Sequence, residues 1–203
     1  MYKKPIIVFE GIEGSGKSSH INNVANYLKK ERIGFLKIRE PGGNLNSEKI
    51  RKLILNKKSQ FNNNTDLLLY LAARSENIEI IEKNYKKKVI LIDRFIDSTI
   101  AYQHYGMGVD LNMINFINDF LIKKIKVNFT FLNIVNKKNM LSRLKKRKKL
   151  NRYDQFDYSF YSKVQKGFLK LAKKKPMEYK IIDSNLALNF NKQVVINRIK
   201  ELL

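Results

Sequence analysis

Residues 11–18, Gly-Ile-Glu-Gly-Ser-Gly-Lys-Ser, match the phosphate-binding pattern G-x-x-x-x-G-K-[ST] in full. Its glycines let successive backbone N–H groups turn toward one anion. A helix opening at the lysine would add positive potential at the same point. Gly11, Ile12, Glu13, Gly14, Ser15 and Gly16 are thus expected to cradle the phosphates of ATP. Lys17 would reach the outer phosphates, and Ser18 would offer its hydroxyl to Mg²⁺. Glu13 is the odd member, because a carboxylate beside phosphate oxygens is repelled unless a cation or hydroxyl sits between them. Its chemistry leaves three readings: a Mg²⁺ ligand, a partner for a sugar hydroxyl, or a side chain in solvent.

Further groups carry chemistry. Asp93-Arg94 ends the apolar run VILI, where an Asp is placed to serve Mg²⁺ and an Arg fork to brace a phosphoryl group; a surface ion pair is the plainer reading. Arg39-Glu40-Pro41-Gly42-Gly43 is a charged pair followed by a turn. Tyr70 and Arg74 lie four residues apart, on one helical face. A ring and a guanidinium so spaced can hold a base, or simply divide between core and surface. Ser98, Thr99, Tyr102 and Gln103 are polar groups suited to a base edge. Arg143, Arg147 and Arg152 stand in a basic stretch with Lys145, Lys146, Lys148 and Lys149. Such a run reads as a solvated face or as a mobile arm that neutralises a transferred phosphoryl group.

These residues need a scaffold, and the hydrophobic pattern supplies one. Apolar β-branched runs predict strands at 6–10, 35–38, 89–92, 127–135 and 179–182. Helical spacing predicts helices at 17–30, 47–55, 65–85, 97–105, 111–121, 138–146, 154–174 and 193–202. Strands alternating with helices imply one α/β domain with a five-stranded parallel sheet flanked by helices. Residues 147–157 have little apolar content and read as a loop or a lid.

The chain has 203 residues, enough for one sizeable core, and its 43% hydrophobic content is ordinary. There is no cysteine, so thiolate and disulfide chemistry are excluded, and two distant histidines make a poor metal site. No apolar run reaches membrane-span length, and MYKKPIIVFEG reads as a first strand and not as a leader. A cytoplasmic protein is expected. The net charge of +23 is spread along a Lys- and Asn-rich chain. It invites a nucleic-acid-binding ATPase as a rival reading, although it would equally draw in nucleotides.

Taken together, FEGIEGSGKSS, REPGG, LAARSENI, DRFIDSTIAYQ and the basic segment leading into FDYSFYSKVQKGFLKLA resemble thymidylate kinases over almost the whole chain. The resemblance implies a three-layer P-loop nucleoside monophosphate kinase fold, transfer of the γ-phosphoryl group of ATP to dTMP, Mg²⁺, and a homodimer. A kinase for another nucleotide is the nearer alternative; no specific nucleic acid and no membrane are expected as partners. Glu13 is implied to meet the dTMP 3′-hydroxyl or the nearby metal, alongside Ser18 and Asp93. Arg39 or Glu40 is implied near the acceptor phosphate, which Arg94 holds. Tyr70 takes the place of a Phe stacked on thymine, and Arg74 bonds the ring. Thr99, Tyr102 and Gln103 line the nucleoside pocket. The loop has Ser15 and no Arg, so the lid at 143–155 is implied to supply the catalytic arginine, Arg147, with Arg143 and Arg152 supporting it at ATP.

Overall fold

The computed structural model describes residues 4–123, 125–147 and 149–203; Lys148 of the expected lid lies outside them. Five strands, β1 (Ile6–Glu10), β2 (Phe35–Arg39), β3 (Val89–Asp93), β4 (Phe129–Ile134) and β5 (Tyr179–Asp183), form one sheet in the order β2-β3-β1-β4-β5. Every pairing is parallel. The central strands β3, β1 and β4 are buried on both faces, which is why β1 reads IIVFE with no polar alternation.

Alternate residues of the central strand feed two cores. Ile7 and Phe9 pack with Ile21, Val24 and Leu28 of α1 (Lys17–Lys30) and with Val195 and Ile199 of α8 (Leu188–Leu202). Ile6 and Val8 face the other way, toward Ile78 and Ile81 of α3 (Asn63–Asn84) and Ile122 of α5 (Leu111–Ile122). Helices thus cover both sides of the sheet, the three-layer α/β arrangement expected from the sequence.

Short polar residues start the helices. Asn44 caps α2 (Leu45–Leu55), Asn62 caps α3, Asp110 caps α5, Asn136 caps α6 (Lys137–Lys145) and Asp157 caps α7 (Tyr158–Lys174). Each such cap contributes on the order of 1 kcal/mol. Three segments differ from the expected elements. The helix expected at 97–105 is a short α4 (Ile96–Thr99) that widens into a π-helical turn at Ile100–Gly106. The helix expected from Asp154 starts only at Tyr158. Residues 152–155 form a separate 3₁₀ turn, because Asn151 and Asp154 cap one another's backbone and Asp157 then opens α7. The last helix starts at Leu188, five residues before the expected start. Leu188 and Phe190 are exposed there, so no apolar stripe marked its first turn. Among the described residues, no helix is long and apolar enough to cross a membrane.

The register brings the chemical motifs together. Phe9 pairs with Asp93, and Asp93 with Arg39. The carboxyl ends of β1, β3 and β2 therefore release the glycine loop, Asp93-Arg94 and Arg39-Glu40 side by side, at the edge where open parallel sheets bind ligands.

Candidate active site

Gly11, Gly14 and Gly16 have φ of 137°, 71° and 87°. At Gly11 a Cβ would lie 2.2 Å from the Asn133 carbonyl oxygen, so glycine is required there by both conformation and space. Ile12 is fully buried in a core cluster and lends the loop only its backbone. The loop is pinned from behind: Arg143 donates to the Gly14 carbonyl at 2.8 Å and to the Ser184 carbonyl at 2.6 Å, and the Ser184 hydroxyl donates to the Ser15 carbonyl at 2.6 Å.

Lys17 folds back over the loop, donating to the carbonyls of Gly11 at 2.7 Å and Ile12 at 3.0 Å. Burial, then the neighbouring Arg94 charge, lowers its pKa to about 8, against the pull of Asp93, Glu13 and Glu10. An arriving phosphate would replace those carbonyls and restore the full charge.

Glu13 does not point to solvent. One oxygen takes a salt bridge from Arg94 at 2.7 Å, and the other accepts the Tyr102 hydroxyl. Burial opposes its charge, but Arg94, Lys17 and the Tyr102 hydroxyl outweigh it and hold its pKa below the ordinary carboxylate value. Arg94 has φ of 67°, a left-handed conformation that costs roughly 1–2 kcal/mol in a non-glycine residue. Its guanidinium also donates to the Gly11 carbonyl at 2.9 Å and lies 5.1 Å from the centre of the Tyr102 ring. Burial disfavours its charge, yet Tyr102, Glu13 and Asp93 raise its pKa further, so it stays protonated.

Glu10 holds this strained turn in place, a role its position at the end of an apolar run did not announce. It is fully buried and accepts from the backbone N–H groups of Phe95 at 2.8 Å and Ser98 at 3.2 Å, and from the Ser98 hydroxyl. Burial, with Asp97 nearby, raises its pKa to about 7.

Around this centre lies a cavity of about 360 Å³, within the size range of small-molecule sites. Glu13, Lys17, Ser18, Asp93 and Arg94 line it beside the glycine loop. Tyr70, Arg74, Thr99, Tyr102 and Gln103 also line it, so both halves of the sequence reading converge on one space. Arg74 is 2% exposed. Its three nitrogens donate to Glu40 at 2.8 Å, to Thr99 at 2.9 Å and to Asn118. Burial raises the Glu40 pKa in spite of Arg74 and Asn77. Glu40 thus braces the guanidinium, while Arg39 pairs with Glu48 at 2.7 Å at the cavity's rim. Arg51 of α2 lines the cavity too, held by the Pro41 carbonyl at 2.7 Å. In sequence it is one more cation on an exposed helix, and only its place shortly before a Leu-Ile pair separates it from the rest.

Of the basic segment, Arg147 reaches the cavity, tied to Asp154 at 2.6 Å. Arg143 and Arg152 are not among the lining residues. Arg143 braces the loop from behind. Arg152 turns the other way, to a salt bridge with Asp66 at the start of α3, with its guanidinium over the Phe61 and Tyr153 rings.

The comparisons with known proteins agree with this geometry. The thymidylate kinase family model matches residues 9–195. The chain belongs to the thymidylate kinase family. It is 40% identical over 181 residues to the thymidylate kinase of Ehrlichia chaffeensis, covering 87% of this chain and 86% of that one. It is 34% identical over 192 residues to that of Kosmotoga olearia, covering 93% and 92%. The crystal structure of the Ehrlichia chaffeensis enzyme superimposes with a TM-score of 0.79 at 34% identity, over 98% of this chain and 99% of that one. The strands, the loop and the helices around the cavity therefore form the fold of this family.

Proposed function

We infer that the protein transfers the γ-phosphoryl group of ATP to dTMP, giving dTDP. One observation carries the reading: a complete phosphate loop and a polar, aromatic nucleoside wall meet in one cavity, joined by the Arg94–Glu13–Tyr102 cluster. The nucleic-acid-stimulated ATPase leaves that wall without a purpose.

The acceptor is a phosphate monoester, largely dianionic at neutral pH because its second pKa is ~6. No general base is needed and no covalent enzyme intermediate forms. The work is to bring two anions together in line and neutralise them. Lys17 leaves the Gly11 and Ile12 carbonyls for the donor phosphates, and Arg94 braces the acceptor phosphate. Arg39 and Arg51 add charge at the same end of the cavity. Glu13, already held as an anion, takes the sugar 3′-hydroxyl. Tyr70 offers its ring face to the base, and Arg74 its remaining N–H groups to a ring carbonyl. Arg147 supplies positive charge to the group in flight, and Lys149 and Asn151 beside it limit water.

Mg²⁺ belongs to this reading. Ser18 and Asp93 both line the cavity. A hydroxyl and a carboxylate, completed by substrate phosphates and water, are the modest donor set that Mg²⁺ takes in such sites. They would hold it, and when bound it supplies neutralisation between the phosphates. Glu13 suits that role less well, since its charge is already matched by Arg94. Self-association is supported by Phe116 and Phe120 on α5, which are 75% and 66% exposed. The same reading puts the enzyme in the cytoplasm, where ATP and nucleoside monophosphates meet.

The test is product-resolved. With ATP, Mg²⁺ and dTMP, ADP and dTDP are expected in equal amounts. ADP formed only when single-stranded DNA is added, with no diphosphate product, would overturn the assignment.

A further inference from the structure

A buried chain of hydrogen bonds runs from the basic segment into the nucleoside wall. Asp66, 1% exposed on α3, accepts the Tyr153 hydroxyl on one oxygen and the Arg152 guanidinium on the other. Tyr153, 3% exposed in the 3₁₀ turn, is in turn within 3.3 Å of the Gln103 side-chain nitrogen. Gln103 is 1% exposed and lines the cavity.

The donors and acceptors in this chain can be assigned in only one direction. A carboxylate that is ion-paired to Arg152 only accepts, so it takes the single proton of Tyr153. Tyr70, whose ring meets Tyr153 edge-on at 5.9 Å, is the weaker acceptor and does not compete for it. The Tyr153 oxygen is then left as an acceptor, and the Gln103 group facing it must be the NH₂. The Gln103 carbonyl oxygen is consequently the end free for the cavity. Arg74, beside it, has only N–H groups to offer.

We propose that Asp66 and Tyr153 are specificity-determining residues that fix the orientation of the Gln103 amide, so that the wall accepts a base with a ring N–H next to a carbonyl and rejects one with a bare ring nitrogen next to an amino group. The first description fits thymine and uracil, and the second fits cytosine. The proposal rests on the assignment of a pyrimidine nucleotide to this cavity and adds the source of its donor–acceptor polarity. It also gives the 3₁₀ turn a role apart from phosphate chemistry: the segment that carries Arg147 also sets the base pattern through Tyr153.

The test compares kcat/KM for dTMP and dCMP in the wild type, Tyr153→Phe and Asp66→Asn, with melting temperatures to confirm folding. Tyr153→Phe keeps the ring but frees the Gln103 amide to turn, so the preference for dTMP should fall about ten-fold, the worth of one hydrogen bond of matched sign. Asp66→Asn should go further. With its oxygen retained by Arg152, the new NH₂ donates to Tyr153, whose proton then passes to the Gln103 oxygen. The amide turns its NH₂ to the cavity, and dCMP turnover should rise while dTMP turnover falls. A purely structural role would lower both substrates together. An equal loss, or a wild-type ratio in a folded Tyr153→Phe protein, would overturn the proposal even if Asp66→Asn failed to fold. A wild type inactive on dTMP would instead remove the reading on which it rests.

Discussion

Arg74 and Arg147 line the same cavity, and their surroundings could hardly differ more. Arg74 is 2% exposed, and each of its nitrogens has a partner on a different element: Glu40 after β2, Thr99 on α4 and Asn118 on α5. Among the described residues, the Arg147 side chain, 37% exposed, pairs with Asp154, seven residues along the same segment. The acceptor wall is thus fixed by long-range contacts before any ligand arrives. Arg147 is placed by a local one, which can be exchanged for a ligand, although its neighbours Arg152 and Tyr153 are anchored on α3. A site that must recognise one small molecule and then close on another benefits from that division.

The largest effect tests the centre on which both regions act. Lys17→Met should lower kcat by about 10³-fold, the scale for losing a principal charge stabiliser. The fold should survive, as circular dichroism would show, because Arg94 still satisfies the Gly11 carbonyl. Normal turnover would refute the role of the loop.

The next pair sets the two regions directly against each other. Arg74→Met leaves Glu40 buried without its cation and should cost roughly 3 kcal/mol of stability in urea unfolding, together with nucleotide binding. Arg147→Ala takes away one partner of the buried Asp154 carboxylate, which keeps the Asn151 N–H, and should cost about 1 kcal/mol, yet lower kcat by about 10²-fold. Equal stability losses in the two variants would erase the contrast.

Two smaller effects come from pH. In the proposed role Lys17 binds phosphate as a cation, and its pKa is lowered to about 8 by burial and Arg94. Accordingly kcat/KM should decline above about pH 8. The same limb should lie higher in kcat, where bound phosphates favour the charged form. A profile flat to pH 9.5 would contradict this. Glu10 works through stability. Its pKa rises from 4.5 in the unfolded chain to about 7 in the fold, through burial and then Asp97. The folded state therefore binds more protons between those values, and the contribution of Glu10 is present below pH 4.5 and lost as pH rises through 7. Melting curves should show the wild type losing stability relative to Glu10→Gln between pH 5 and 8. A constant difference would mean that Glu10 titrates normally.

The same contrast explains what could be read from the sequence. The phosphate loop, the five strands and the pair Asp93-Arg94 are local patterns: glycine spacing, apolar runs, a charge at a strand end. They were legible to within a residue or two. Tyr70, Arg74, Thr99, Tyr102 and Gln103 were legible as candidates because two short motifs carry them, and the resemblance to thymidylate kinases gave them roles. What holds them was not legible. Glu10 meets Ser98, Arg74 meets Asn118 and Asp66 meets Tyr153 across separations of 88, 44 and 87 residues. No periodicity marks such pairs. The basic stretch failed differently. Composition singled it out but could not sort its arginines: Arg143 on α6 braces the loop, Arg147 just past that helix reaches the cavity, and Arg152 in the turn capped by Asn151 pairs with α3.

The most direct test of this division is the affinity of dTMP, measured by titration calorimetry without ATP, for the wild type and Arg147→Ala. An acceptor wall set in advance requires the two dissociation constants to agree within about two-fold while kcat differs by about 10²-fold. A loss of dTMP affinity as large as the loss of kcat would contradict it, and would make Arg147 itself part of the acceptor wall.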